Sequence, residues 1–185
     1  MSLHVHHVCR AAFNYLRFIA RQCKALDNSS LRRLLHLLVL SRIEYATTLL
    51  FGVSKALQSK LEAVSNAALR VLARLRKFDH LTVVRAKHSW LPLLKRQFLR
   101  YATFVYVILR HGKPSYLADH LNFCPLIRST RASRRCLLSV PRTSTRVAER
   151  MFIVAGPTIW NSIPLDIRAS PTIGIFKEKL RVHLS

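Results

Sequence analysis

Apolar residues return every three or four positions through most of the chain up to Gly112, and only one regular structure satisfies that period. Leu57, Leu61, Val64, Ala68, Val71, Leu72 and Leu75 fall on one face of a helix, whereas a strand would throw neighbours in this series onto opposite faces. The same spacing predicts a helix over residues 8–25, with Phe13, Leu16, Ala20 and Cys23 on its core face. A second runs from Leu31 towards Leu50, apolar almost all round through Leu34, Leu35, Leu38, Val39, Ile43 and Ala46. The Asp27-Asn28-Ser29-Ser30 cluster supplies capping oxygens before it, Gly52 suits its end, and Ser54 is the expected N-cap of the third helix. Residues 79–89 are expected to be a connector. Trp90-Leu91-Pro92 then opens a fourth helix, buried along Leu94, Phe98, Tyr101, Val105 and Ile108 and closed by Gly112 and Pro114.

Beyond Gly112 the pattern weakens. Residues 137–140 and 151–154 are two short apolar runs that could pair as a β-ribbon, an apolar turn is expected around Gly156-Pro157 and Trp160, and a last helix from about Pro171 to His183. The expected fold is therefore mainly α: a helical bundle over 1–112, then a C-terminal extension over 113–185 made of an Arg-rich loop, 127–150, and a packed tail, 151–185. Leu34, Leu38, Leu61, Val64, Phe98 and Val105 are the expected core.

Charge sets the expected partner. The 185 residues carry 31 Lys+Arg against 8 Asp+Glu, a formal net charge of +23, while half of them are hydrophobic. So apolar a chain can bury surface and fold, and so basic a one attracts polyanions. Arginine outnumbers lysine 22 to 9, which suits bidentate phosphate contact. The densest run is Arg128, Arg131, Arg134, Arg135, Arg142, Arg146 and Arg150, interleaved with Ser and Thr hydroxyls and facing a single acid, Glu149. Arg70, Arg74 and Lys77, at the end of the third helix, form a second candidate surface, although cations there also complement the helix dipole. The competing reading of both is a solvated face, and acidic membrane surfaces are a minor alternative partner.

The residue types for several chemistries are missing or scattered. No two of the eight acids stand closer than twelve positions, four glycines form no phosphate-cradling loop, and there is no G-x-S-x-G. Cys9, Cys23, Cys124 and Cys136 show no C-x-x-C spacing, so packed thiols and an intracellular site, nuclear or cytoplasmic, are expected. His4, His6, His7 and Cys9 are ligand types, but a chain terminus offers them no rigid frame. Neither a catalytic residue, a metal, a cofactor nor a small-molecule substrate is expected. The longest apolar run, Ala102–Leu109, is too short to span a bilayer. The acid-free, Arg-containing first 26 residues resemble a mitochondrial transit peptide in composition, which competes with the reading of a first packed helix.

A set of short motifs adds a resemblance. Ser41-Arg42-Ile43-Glu44-Tyr45 with Leu49-Leu50-Phe51-Gly52, then Asn66-Ala67-Ala68, Asp79-His80-x-Thr82, Trp90-Leu91-Pro92 and Lys113-Pro114-Ser115-Tyr116-Leu117 follow one another in order. Gly156-Pro157-Thr158-Ile159-Trp160-Asn161-Ser162-Ile163-Pro164, Ile167-Arg168 and Phe176-Lys177 complete the series. In order and spacing it resembles the segment downstream of the polymerase core in reverse transcriptases of jockey-like LINE retrotransposons, which lack long terminal repeats. Val83 stands where that family usually has Pro, and Glu44 where Asp is commoner.

The resemblance implies a helical thumb and C-terminal extension that contacts template RNA and primer duplex. It also implies that the Asp pair ligating magnesium belongs to a palm upstream of this segment. Arg42, Glu44, Tyr45, Trp90, Pro92, Gly156, Pro157, Trp160, Asn161, Pro164 and Arg168 are then structural positions. The expected product is a truncated fragment that binds RNA or DNA backbone, and possible further partners are the absent palm or the element's own RNA. The alternatives are a host-adopted helical module for protein interaction and a part of a longer, active RNA-directed DNA polymerase.

If the arginine run carries the contacts, replacing Arg131, Arg134 and Arg135 together with Ala flattens the salt dependence of nucleic-acid binding by roughly two to three log units per log unit of salt. Titrations of one labelled oligomer at several salt concentrations read this directly. An unchanged slope places the contacts elsewhere.

Overall fold

A computed structural model describes residues 2–45, 52–124, 137–145 and 147–185. The expected class holds: the described residues are mainly helical, without a sheet. In order they form α1 (Ser2–Gln22), α2 (Asn28–Leu35), a π-helical turn (His36–Leu40), α3 (Ser41–Glu44), α4 (Lys55–Leu72), α5 (Thr82–Lys87), α6 (Leu93–His111) and α7 (Ser115–Ala118). A single 3-10 turn (Ala148–Arg150), α8 (Phe152–Ser162), α9 (Leu165–Arg168) and α10 (Ile173–Leu184) follow. Two compact units result, Met1–Arg96 and Gln97–Ser185. The division falls inside α6, earlier than the 112/113 boundary expected from Gly112 and Pro114. Those two residues do end α6, Gly112 at φ +63° with its N–H bonded to the Ile108 carbonyl at 2.8 Å. The later turns of α6 carry Tyr101 and Tyr106, whose rings pack on Phe152, Trp160 and Phe176 of the tail.

In the first unit α1 packs chiefly on α4, and the α2–α3 stretch packs against α1 and α4. The buried seam of α1 is Val5, Cys9, Ala12, Leu16 and Ile19, one step away from the expected Phe13, Leu16, Ala20, Cys23 set. Both sets obey the helical period. The structure buries the set that includes Ala12 and Ile19, and Ala20 is left exposed. Asp27 caps α2 as expected, its carboxylate accepting from the N–H groups of Ser29 (2.9 Å) and Ser30 (3.2 Å). The Ser29 hydroxyl also donates to that carboxylate, at 2.6 Å, and this bond, foremost among the three, holds its pKa well below the usual carboxylate range. Ser54 sits at the start of α4 without a side-chain capping bond. Leu61, Val64 and Val105 are core, while Leu34, Leu38 and Phe98 are only half-buried. Leu37 is 69% exposed, so the second predicted helix is not apolar-buried all round.

The π-turn changes what α3 shows to the core. An extra residue in the turn buries Val39 with Leu40 and then Ile43 with Glu44. Glu44, 4% exposed, pairs there with the Arg96 guanidinium. The second Arg96 amine donates to Ser65 Oγ at 2.9 Å, and Trp90 Nε1 donates to the same oxygen at 3.3 Å. Arg96 also lies 5.1 Å from the Trp90 ring centroid.

Several elements differ from expectation. Residues 79–89, expected to be a connector, contain α5, and half-buried Glu62 and Asn66 of α4 hold it. One Arg85 amine reaches Glu62 Oε1 at 3.0 Å and Asn66 Oδ1 at 2.6 Å, and Glu62 Oε2 accepts the first N–H of α6, from Leu93, at 2.8 Å. Leu94, expected in the buried stripe of α6, is 49% exposed. The β-ribbon between 137–140 and 151–154 does not form, because 152–154 begin α8; Leu138 instead makes one antiparallel bridge with Phe123. The expected turn at Gly156-Pro157 is the middle of α8, with Pro157 inside the helix.

Removing one member of the buried pair leaves the other charge without its partner, a loss of about 3–5 kcal/mol. Arg96→Met should lower the unfolding free energy by that amount in urea titrations. The double variant Glu44→Leu/Arg96→Met should recover most of it, and equal losses in the two would show that packing rather than charge pairing dominates here.

Candidate nucleic-acid interface

Arg128, Arg131, Arg134, Arg135 and Arg146 lie outside the described residues, as do Leu49, Leu50 and Phe51 of the motif series. Arg142 is described and exposed, in irregular backbone before the 3-10 turn. The second candidate surface is described in full.

At the end of α4 the chain turns in a Schellman motif. The Leu75 N–H bonds to the Arg70 carbonyl at 2.9 Å and the Arg74 N–H to the Val71 carbonyl at 3.2 Å. This geometry requires a left-handed residue, and the chain places Arg74 there, at φ +54°. Glycine is the usual occupant, and a side-chain-bearing residue costs about 1–2 kcal/mol. One Arg74 amine donates to the Leu26 carbonyl at 3.0 Å, holding the side chain beside the α1–α2 connection.

Arg74 lines a cleft of about 570 Å³ with Asp27, Asn28, Leu72, Leu75, Val84, Lys87 and His88. α5 ends in a second Schellman turn, the Trp90 N–H bonding to the Arg85 carbonyl at 2.8 Å, with Ser89 at φ +49°. That turn sets Lys87 and His88 on the cleft wall. Arg32 of α2 donates to the His88 carbonyl at 2.6 Å. Burial, then the charges of Arg32 and Lys87, lower the His88 pKa. Such a cleft can hold phosphate oxygens by charge-assisted hydrogen bonds.

Arg70, Arg74 and Lys77 are not equivalent. Arg70 is half-buried, with its Nε sequestered, while Lys77 is exposed and lies 5.2 Å from the ring centroid of Phe78, itself 86% exposed. Asp79 accepts the Arg76 N–H at 2.8 Å and so shapes the turn that carries Lys77 and Phe78. Lys87 and His88 were not legible as cleft residues, because residues 79–89 carry no strong period and the cleft forms only when α2, α4 and α5 meet.

The motif positions resolve into structural roles. Arg42 stacks 4.6 Å from the Tyr15 ring centroid and donates to its hydroxyl at 3.1 Å, whereas Tyr45 is 73% exposed. The Pro92 carbonyl accepts the Arg96 N–H at 3.0 Å, and the Pro164 carbonyl accepts the N–H of Arg168 at 3.1 Å. In the second unit Asn161 binds Leu138 as a strand would, Oδ1 accepting its N–H and Nδ2 donating to its carbonyl, both at 2.8 Å. Buried Arg168 lies 6.0 Å from the Trp160 ring centroid. Gly156 and Pro157 are buried, yet a Cβ at Gly156 would meet only ordinary contacts, Phe152 at 3.5 Å and Leu121 at 3.6 Å. The steric space there therefore does not require glycine.

No group of three or more His, Cys, Asp or Glu side chains with metal-holding geometry occurs among the described residues, and no described helix is long and apolar enough to cross a membrane. Cys9, Cys23 and Cys124 are free thiols, and burial pushes the Cys9 thiol up. The chain matches no family model, no curated protein and no solved structure.

Proposed function

We propose that this chain is a nucleic-acid-binding module, the thumb and C-terminal region of a LINE-type reverse transcriptase, which grips RNA or DNA through the phosphate backbone and catalyses nothing by itself. The observation that carries the reading is Arg74. A cation occupies a backbone position that favours glycine, and its side chain lines a cleft whose other wall carries Lys87 and His88. Strain of this kind points to a role for the side chain beyond folding. The net charge of +23 supports the long-range attraction, and the motif series is what supports the family reading.

Backbone contact of this sort is indifferent to sequence and steeply dependent on salt. A second reading, a helical module for protein interaction, is favoured by Leu3, Phe18, Leu37 and Tyr45, large apolar side chains exposed on the first unit.

Arg74→Gly trades backbone strain against the bond to Leu26, so stability should change by no more than about 1 kcal/mol. Arg74→Gly/Lys87→Gln should lower the salt slope of oligonucleotide binding by about 1.5 units, at 0.7–0.9 per phosphate contact. An unchanged slope in a folded double variant removes the cleft from the interface. Absence of any polyanion binding, with self-association through the apolar face, favours the second reading.

A further inference from the structure

The second unit contains a different kind of recess. Tyr106, Leu109 and Arg110 of α6, Phe123, Trp160 of α8, and Arg168, Ala169 and Ser170 after α9 enclose about 230 Å³. That is below the roughly 300 Å³ at which pockets for drug-sized ligands begin, so it suits one planar ring rather than a whole ligand. Three of its walls are aromatic. Tyr106 and Trp160 are buried, with centroids 6.5 Å apart, whereas Phe123 is 54% exposed.

Phe123 is held in place by backbone. Cys124 N–H bonds to the Leu137 carbonyl at 2.9 Å and Ser139 N–H to the Asn122 carbonyl at 2.8 Å. Leu138, between those two, is clamped by Asn161. The ring is thus an exposed apolar surface on a fixed frame, which folding alone does not demand.

Charge surrounds the recess on the same side of the balance. Arg110 at the rim donates one amine to the Pro171 carbonyl at 2.7 Å, and the guanidinium has further N–H donors. Arg168 stands behind the Trp160 ring. Two neutral polar groups of the wall are engaged, the Tyr106 hydroxyl donating to the Ser170 carbonyl at 2.8 Å and Ser170 Oγ to the Ile167 carbonyl at 2.7 Å, whereas Trp160 Nε1 is buried without a hydrogen-bond partner among the described residues.

We propose that this recess receives one unpaired nucleobase of a single-stranded nucleic acid, stacked on Phe123, with Arg110 on an adjoining phosphate. Aromatic platforms beside cations are the general means of holding single strands, and every base offers a stacking face. Because the Tyr106 and Ser170 hydroxyls are engaged, stacking carries the contact with the base. The inference rests on the backbone-binding reading for the kind of polymer, but it uses residues outside the Arg74 cleft.

The test compares the full-length parent, Phe123→Ala, Phe123→Tyr and Phe78→Ala on two labelled probes of equal length: an oligouridylate and an abasic phosphodiester. The parent should bind the oligouridylate more tightly than the abasic strand. Phe123→Ala should lose about tenfold on the oligouridylate and nothing on the abasic strand, Phe123→Tyr should retain parent affinity, and Phe78→Ala should leave the difference between probes unchanged. The inference is overturned if the parent binds both probes alike, if Phe123→Ala loses equally on both, or if the base-dependent part follows Phe78. A parent that binds neither probe overturns the backbone reading and this one with it. Binding of both probes with no effect of Phe123 overturns this one alone.

Discussion

The buried pair between Glu44 and Arg96 is the constraint around which the first unit is organised. A carboxylate 4% exposed is tolerable only with a cation and further hydrogen bonds beside it, so α3 and the start of α6 must meet. Ser65 of α4 and Trp90 complete the enclosure by sharing one hydroxyl oxygen. Glu62 repeats the logic nearby, binding Arg85 of α5 and the first amide of α6. Three elements, α3, α5 and α6, are thereby tied to α4 by polar contacts. The π-turn before α3 is the local device that brings Glu44 inward.

That arrangement has consequences at the surface. With α5 held by Glu62 and Asn66, its C-terminal turn stands beside the end of α4, and the cleft between them is bordered by Arg74, Lys87 and His88. In the first unit Glu44 and Glu62 are turned to partners inside and Asp27 caps α2 at the cleft, while Arg74 and Lys87 are exposed there. In the second unit an equivalent economy holds. Asn161 replaces a missing strand partner for Leu138, and the short bridge it secures fixes Phe123.

Helical periodicity made α1, α4, α6 and α10 legible, because each has an apolar face long enough to repeat. It could not choose between neighbouring seams on α1, since the period allows both and only the partner helix decides. The tail was harder. Gly156-Pro157 reads as a turn in sequence, yet Val154, Ala155, Ile159 and Trp160 bury enough surface to keep the helix across the proline. The holding role of Glu62 and Asn66 left no local signal because their partners, Arg85 and the Leu93 amide, are distant in sequence. Among the site residues, Arg74 and Lys77 were visible as cations near a helix end. Lys87, His88 and the Phe123 recess depend on elements meeting in space and left no local signal. The motif series marked several positions now seen to carry packing, Glu44, Trp90, Asn161 and Arg168 among them.

The central claim is that polyanions meet the first unit at the cleft formed where α4 and α5 end. Lysine footprinting addresses it without altering the chain: surface amines are acetylated with and without a saturating RNA oligomer, and modification is read at each lysine by mass spectrometry. Lys87 lines the cleft, Lys77 stands two positions after the lining residue Leu75, and Lys55 and Lys60 on the first turns of α4 serve as the internal comparison. The account predicts that RNA protects Lys77 and Lys87 while Lys55 and Lys60 react as in the free protein. Protection of Lys55 and Lys60 with Lys77 and Lys87 unchanged would contradict it.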